Sequence, residues 1–477
     1  MKKKFDSAFW KHYMSLAFPV MLQCVITNSF SLVDSLMVSS LGEMALSSVT
    51  VAASWGGLCL NLCSGFSGAL AVFTAQYYGV RNWEKMRKSF GLALTVVAAI
   101  ILPATLLSLL APGWIVSLFN DEPELTATAI SYLKIIAISY PGSVLSGVLS
   151  ARLRATERMR IPMVASFVAM GMNVVGNYVL IFGKCGLPVM GIRGAAIASV
   201  IAAWSQPLVM CLVGRLKGKH LESAGLPSFR FERELTVAFI KKAAPIVANL
   251  SIYTLAHTVI TAVFCRMSAE NMAAVSIARN LHTFCWVVHS GMAAAADVIM
   301  GVFAGQGRIR EMRHTGNRII IAEQFMGMLL AGLLILFRRP FVELFDLKDS
   351  LTEATKALAL SLVTAHALRT FMCSPYSTVM DSFFRAAGNP TLSALIDILA
   401  MWLVAVPAAL IGSRVAPDRF LLVYCIVIFS EDLVKIPAVF WIYFKTTKWI
   451  KPVTEEGKAG LARYLAEKEA EKAARHV

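Results

Sequence analysis

Long apolar stretches separated by short polar connections dominate the pattern along the chain. Each stretch is long enough for a helix to cross the roughly 30 Å hydrocarbon core of a bilayer. They lie at about residues 14–39, 45–77, 89–118, 126–150, 161–183, 191–214, 237–265, 272–304, 316–345, 353–380, 390–412 and 418–445. The pattern therefore predicts an all-α polytopic membrane protein with about 12 transmembrane helices.

Composition agrees with a membrane protein. The 477 residues are 57% hydrophobic and only 16% charged, whereas about a quarter of the residues in a soluble domain are charged. The nine cysteines are scattered without a CxxC pair, so buried thiols are expected rather than metal ligands or disulfides. The basic start lacks a small-residue cleavage site, and we expect it to remain as the first span.

Basic residues segregate by loop and account for the net charge of +16. They precede the first span and follow the second, fourth, sixth and eighth: Lys2, Lys3, Lys4, Lys11; Arg81, Lys85, Arg87, Lys88; Arg152, Arg154, Arg158, Arg160; Arg215, Lys217, Lys219, Arg230, Arg233; Arg308, Arg310, Arg313, Arg318. The intervening loops are acidic or have few basic residues, apart from the loop with Arg338 and Arg339. By the positive-inside rule, both termini are predicted to be cytoplasmic, in the plasma (inner) membrane.

The second half of the chain repeats the first. An offset of 226 positions takes Pro19 to Pro245 and Gly65 to Gly291, and many other identities share that register. The repeat predicts two pseudo-symmetric six-helix bundles related by an axis along the membrane normal, with a cleft between them as the substrate path. The predicted domains are an N-terminal lobe at 1–218, a cytoplasmic linker at 219–233, a C-terminal lobe at 234–446 and a charged cytoplasmic tail at 447–477.

The first span contains an acid within an apolar run. On a helix, Asp34 shares a face with Thr27 and Ser31, and Asn28 lies beside them. A carboxylate at membrane depth is costly and should face a cavity or neighbouring helices rather than lipid. There Asp34 could exchange a proton, a sodium ion or an organic cation. The alternative interpretation is that it only accepts hydrogen bonds between helices.

Several motifs occur in a fixed order along nearly the whole chain. They are DSLMVSSLG from Asp34, GALAVFTAQYYGVRNWEKMRKS from Gly68, LRATERMRIP from Leu153, GLPVMGIRGAAIAS from Gly186 and AAPIVANLSIYTLAHT from Ala243. In this order they resemble the multidrug and toxic compound extrusion (MATE) family. The resemblance implies antiport, in which inward movement of H⁺ or Na⁺ drives outward movement of amphipathic, often cationic, organic compounds. It also implies that Asp34 is a cation-coupling residue and that no cofactor is needed besides the coupling ion.

The fifth span carries Asn173 and Asn177, one helical turn apart, and resembles the NorM-type pattern of this family. Amides can coordinate sodium or share hydrogen bonds with Asp34, so both are predicted to be cation-coupling residues. Helix-to-helix hydrogen bonding is the alternative. NorM-type members have a Glu in the seventh span where this chain has Tyr253. The choice between H⁺ and Na⁺ therefore stays open, and Na⁺ near Asp34 is a candidate.

Other intramembrane polar residues are predicted to form a substrate site or a second cation site. They are Gln23, Asn28, Tyr253, His257, Asp297, Asp397 and Trp402. Each of them has a structural alternative, because such side chains also hold helices together or fill an interfacial aromatic belt. The sequence provides no structural metal site and no further cofactor.

Three functions can be compared at this stage. The prediction is an exporter that works by alternating access. Its predicted partners are the lipid bilayer and small amphipathic or cationic molecules, without nucleic acid, and it is predicted to be a monomer. A flippase for lipid-linked sugars would need more basic residues in the central cavity, whereas Lys and Arg concentrate at the loops. A membrane-embedded enzyme would need a motif such as HExxH, and the sequence has none. The protein is therefore predicted not to be an enzyme.

Overall fold

A computed structural model describes residues 7–119, 122–216, 225–268, 271–344 and 352–474. Lys2, Lys3 and Lys4 lie outside these ranges, as do positions 217–224, which include the first part of the linker predicted at 219–233. The described helices of the first half are α1 Ser7–Ser39, α2 Glu43–Gly79, α3 Trp83–Leu110, α4 Pro112–Ser117, α5 Pro123–Ile136, α6 Ser139–Ala155, α7 Arg160–Phe182 and α8 Ile192–Leu216. Those of the second half are α9 Arg233–Met267, α10 Asn271–Gln306, α11 Ile309–Leu344, α12 Glu353–Ser377, α13 Pro390–Ala400, α14 Val406–Val415, α15 Phe420–Lys445 and α16 Glu455–Ala474, with π-helical turns at Thr378–Phe384 and Met401–Ala405.

The transmembrane helices follow the predicted stretches in order. Within the described residues, 10 helical segments are long and apolar enough to cross a bilayer, and α5 with α6, bent by 47°, forms one more. The last stretch is α15, whose 26 residues would extend about 39 Å at 1.5 Å per residue. Glu431, Asp432 and Lys435 lie near the middle of this otherwise strongly apolar helix, so it is not among the 10 segments counted above. The all-α membrane fold is confirmed.

The repeat is visible in the helix boundaries. Helix α3 begins at Trp83 and α11 begins at Ile309, 226 positions later. Pro19 lies inside α1, and its counterpart Pro245 lies inside α9. Because proline has no backbone N–H, each of the two helices lacks one backbone hydrogen bond at an equivalent place.

The chain divides into two compact units. One comprises Phe18–Val247, and the other comprises Met1–Ala17 and Ala248–Val477. Both divisions fall inside a helix, just before Pro19 in α1 and just after Pro245 in α9. The domain boundary that we predicted at the linker stays a prediction, and below we call these the N-terminal unit and the C-terminal unit.

Part of the predicted linker packs against the N-terminal unit. The Ser228 backbone N–H donates to the Arg87 carbonyl at 3.1 Å, and the Arg152 guanidinium donates to the Gly225 carbonyl at 2.8 Å. A side chain at Gly91 would overlap the Ser228 carbonyl. The chain from Gly225 onward is therefore fixed on α3 and α6.

The predicted tail contains a helix that packs on the C-terminal unit. Thr454 Oγ1 donates to the Gly305 carbonyl at 2.6 Å, and the Lys451 backbone N–H donates to the Ala387 carbonyl at 2.8 Å. Trp449, which leads into this segment, is completely buried. The segment from Trp449 through α16 thus contacts both the α10–α11 turn and the loop before α13.

Candidate functional site

The three predicted cation-coupling residues are joined by hydrogen bonds in the N-terminal unit. Asn177 Nδ2 donates to Asp34 Oδ1 at 2.8 Å and to Asn173 Oδ1 at 3.0 Å. Asn173 Nδ2 in turn donates to Ser199 Oγ of α8 at 3.2 Å. Asn173 and Asn177 lie four positions apart on α7, so both amides face α1 and α8. The structure therefore brings together the residues that sequence reasoning selected.

One atom of this site lacks a partner. Asn173 and Asn177 are completely buried, and Asn177 Oδ1 has no hydrogen-bond donor in the structure. Tyr132 of α5, which the sequence reasoning missed, is close enough to interact electrostatically with Asp34. A buried acceptor next to a carboxylate suits a proton on the carboxyl group or a small cation held by both oxygens.

The other polar residues of α1 have different partners. Asn28 Nδ2 donates to the Cys24 carbonyl at 2.8 Å and Thr27 Oγ1 donates to the Gln23 carbonyl at 2.9 Å, both within the helix. Gln23 Nε2 donates to Ser166 Oγ of α7 at 3.2 Å. The side chain of Ser31 lies outside the described residues. Gln23 and Asn28 therefore have no direct bond to the Asp34 site.

The C-terminal unit contains a buried network of charges. Lys435 Nζ donates to Asp397 Oδ1 at 2.6 Å and to Glu431 Oε2 at 2.9 Å. Arg369 of α12 donates to Glu431 and, through Nε, to Asp432 Oδ2 at 2.7 Å. Acidic and basic groups alternate in this network, so each charge has a compensating neighbour.

Sequence reasoning missed most of this network. The expectation that Lys and Arg concentrate at the loops is wrong for Arg369 in α12 and Lys435 in α15, whereas Arg385 directly follows the span that ends at Phe384. These three bases are paired with acids; Arg385 pairs with Asp297 at 2.8 Å. A usable signal was the three charges of α15 at i, i+1 and i+4, because such a cluster in a span requires partners on other helices.

Four of the residues predicted for a second site lie around this network. The Tyr253 and His257 rings are 4.6 Å apart, and Lys435 Nζ lies 5.8 Å from the Tyr253 ring centre. Trp402 Nε1 donates to the Ile252 carbonyl at 3.3 Å, next to Tyr253. Asp397 is part of the network itself. Asp297 belongs instead to the separate pair with Arg385.

A second buried polar group in the same unit was also missed. His289 Nδ1 lies 3.1 Å from Glu323 Oε2, and His289 Nε2 lies 3.0 Å from Ser377 Oγ. All three side chains are buried. Nothing in the described part of the chain forms a group of three or more His, Cys, Asp or Glu residues that could hold a metal ion.

Comparisons with known proteins agree with this fold. A family model described as MatE matches residues 19–179 and 245–411, in both halves of the chain. The probable multidrug resistance protein NorM of Thermotoga maritima is 24% identical over 407 residues, covering 84% of this chain and 85% of that protein. Multidrug resistance protein NorM of Burkholderia vietnamiensis is 28% identical over 357 residues, covering 73% of this chain and 75% of its own.

A solved structure gives the same result for the fold. It is described as the outward-facing conformation of a multidrug resistance MATE family transporter of the MOP superfamily, and it matches with a TM-score of 0.82 at 18% identity. The match covers 92% of this chain and 96% of that one. With the family model matching both halves and the fold shared over nearly the full length, the chain belongs to the MATE family of membrane transporters.

Proposed function

We propose that this protein exports amphipathic, cationic organic compounds in exchange for H⁺ or Na⁺, by alternating access. The observation that carries the proposal is the Asp34 carboxylate, held by Asn177 and next to the unpartnered Asn177 Oδ1. The curated relatives that match the chain are named multidrug resistance proteins, which supports the substrate class.

The charge balance of the two units supports Asp34 as the coupling residue. Within the described residues no Lys, Arg or His forms an ion pair with Asp34, whereas Asp397, Glu431 and Asp432 are all paired with a base. An acid without a counter-charge in an apolar environment gains most from binding a positive ion. Asp34 is therefore an acid whose charge state can change with the cation supply.

Cation binding drives transport only if the two access states differ in affinity. A shift from 1:99 to 99:1 between states requires about 5.5 kcal/mol of differential binding. An unpaired carboxylate can supply much of this energy when one state leaves it in contact with water and the other does not. We also propose that the protein lies in the plasma membrane as a monomer, with both termini in the cytoplasm.

The experiment is efflux of the cationic dye ethidium from proteoliposomes. A pH gradient and a sodium gradient are applied separately to the wild-type protein, with protein-free liposomes as control. One of the two gradients should drive dye movement, and the gradient that does so identifies the coupling ion. If neither gradient drives it while the same protein scrambles lipid-linked oligosaccharide, the flippase interpretation replaces the exporter.

A further inference from the structure

We propose that Arg279, His282 and His366 in the C-terminal unit bind the anionic group of an amphipathic aromatic molecule. The inference rests on the proposed function, since it names a second substrate class for the same transporter. It starts from the juxtaposition of one exposed arginine of α10 with two histidines that have hydrogen-bonding capacity to spare.

Helix α10 carries a polar stripe inside a membrane span. Arg279, His282, Thr283 and Trp286 follow one another at i, i+3, i+4 and i+7, which places them on one face. Arg279 is exposed and Trp286 is 43% exposed. Because arginine inside a span avoids lipid, this face is expected to border a water-filled space.

Side chains from three other helices of the unit surround the stripe. Arg279 is close enough to interact electrostatically with His257 of α9, His366 of α12 and Tyr424 of α15. The His282 and His366 rings are 4.9 Å apart. The two imidazoles therefore lie together, and Arg279 is one helical turn away on the same face of α10.

These groups have unused hydrogen-bonding capacity. His366 is only 4% exposed, and its Nε2 lies 3.0 Å from the Tyr424 hydroxyl, but its Nδ1 is buried without a partner. When the Tyr424 hydroxyl donates to Nε2, the neutral ring carries its proton on Nδ1 and offers a donor. Over the described ranges, the side chains of Arg279 and His282 also form no hydrogen bond or ion pair.

This lack of partners distinguishes Arg279 from the other intramembrane bases. Arg369 is held by Glu431 and Asp432, and Lys435 by Asp397 and Glu431. Among the described residues the acids of this network are therefore already engaged, and a ligand can supply the acceptor for Arg279. An arginine with free N–H groups binds a carboxylate or sulfonate through two parallel hydrogen bonds.

The aromatic surroundings indicate the rest of the ligand. The His282 and Trp286 rings are stacked with centres 6.4 Å apart, and the exposed part of Trp286 continues the same face. An aromatic body bearing a carboxylate or sulfonate would stack on Trp286 while its anion reaches Arg279. A cationic compound would be repelled there, so this site complements the acid of the N-terminal unit.

Binding of carboxyfluorescein to the detergent-solubilised full-length protein tests the proposal. We expect saturable binding by fluorescence polarisation that unlabelled benzoate displaces. Arg279→Gln should weaken it about tenfold or more, the usual effect of losing a charged hydrogen-bonding partner. Arg279→Lys should retain part of the affinity. The control is Arg266→Gln, which removes the same charge from an exposed position on α9 of the same unit.

The outcomes separate this inference from the proposed function. Absence of saturable dye binding, or equal weakening by Arg279→Gln and Arg266→Gln, would overturn the anion site. If wild-type protein fails to move ethidium but binds carboxyfluorescein through Arg279, the exporter proposal fails and the anion site stands.

Discussion

The two proposals use Asp34 in the N-terminal unit and Arg279 in the C-terminal unit, and neither charge has an ion-pair partner among the described residues. Asp34 is held by the Asn177 amide, which donates a hydrogen bond but carries no charge. The acids around Arg369 and Lys435 are compensated by these bases. At the scale of single residues, the paired acids and bases compensate one another, whereas an unpaired charge remains available for a ligand.

Replacing Asn177 tests how strongly the amide affects the cation site. Asn177→Ala removes the donor to Asp34, and a hydrogen bond to a charged group contributes about 1.5–3 kcal/mol. We expect the cation concentration for half-maximal ethidium efflux to change at least about tenfold. Ser39→Ala is the control, because over the described residues the Ser39 hydroxyl donates only to the Leu36 carbonyl of its own helix. Equal effects of the two variants would contradict the assignment.

Replacing Arg369 tests the structural role of the buried network. Arg369→Met leaves Asp432 and part of Glu431 without their base, and breaking a buried pair in this way costs about 3–5 kcal/mol. We expect a clear fall in the thermal unfolding midpoint in detergent. The exposed pair Arg308 and Glu311 provides the control, since Arg308→Met should cost about 0–1 kcal/mol. Similar midpoints for the two variants would show that the network does not stabilise the unit.

The sequence could predict some residue roles and not others. Asp34 and the Asn173 and Asn177 pair were visible because an acid and two amides at i and i+4 interrupt apolar runs. The partners of Arg369 lie more than sixty positions away on another helix. Without knowing which helices are neighbours, an isolated Arg in a span cannot be assigned to a particular acid.

The helices show where hydropathy is informative and where it is not. Apolar stretches predicted the order and number of spans, because length and composition determine whether a helix can cross a bilayer. They did not predict the 47° bend between α5 and α6 or the π-helical turns at Thr378–Phe384 and Met401–Ala405. An inserted residue in a π turn leaves the hydropathy profile unchanged, although such turns often occur at functional sites.

Helix α16 provides a prediction at this scale. A side chain at Gly460 would overlap the backbone of Gly307 in the turn between α10 and α11. Gly460→Val should therefore detach α16 and raise hydrogen exchange in residues 455–474 and in that turn. Ala459→Val is the control, because Ala459 is exposed on the same helix. Unchanged exchange in the Gly460 variant would show that the contact does not hold the helix in place.

The second half of the molecule repeats the helices of the first half but not its intramembrane polar residues. The 226-position offset predicted equivalent helix starts at Trp83 and Ile309. The same offset takes Asp34 to Ile260, so the acid that we propose for coupling has no counterpart at that position of the second half. Apolar patterning is retained in a repeat because both copies need the same fold, whereas the polar residues of each unit have to be identified individually.

The most direct test of the account is gradient-driven ethidium efflux by Asp34→Asn in proteoliposomes. Asparagine keeps the size of the side chain and can still bond to Asn177, but it cannot carry the negative charge. With insertion and thermal stability equal to wild type, we expect efflux driven by the effective gradient to fall to the level of protein-free liposomes. Efflux at the wild-type rate under that gradient would contradict the role of Asp34 as the coupling residue.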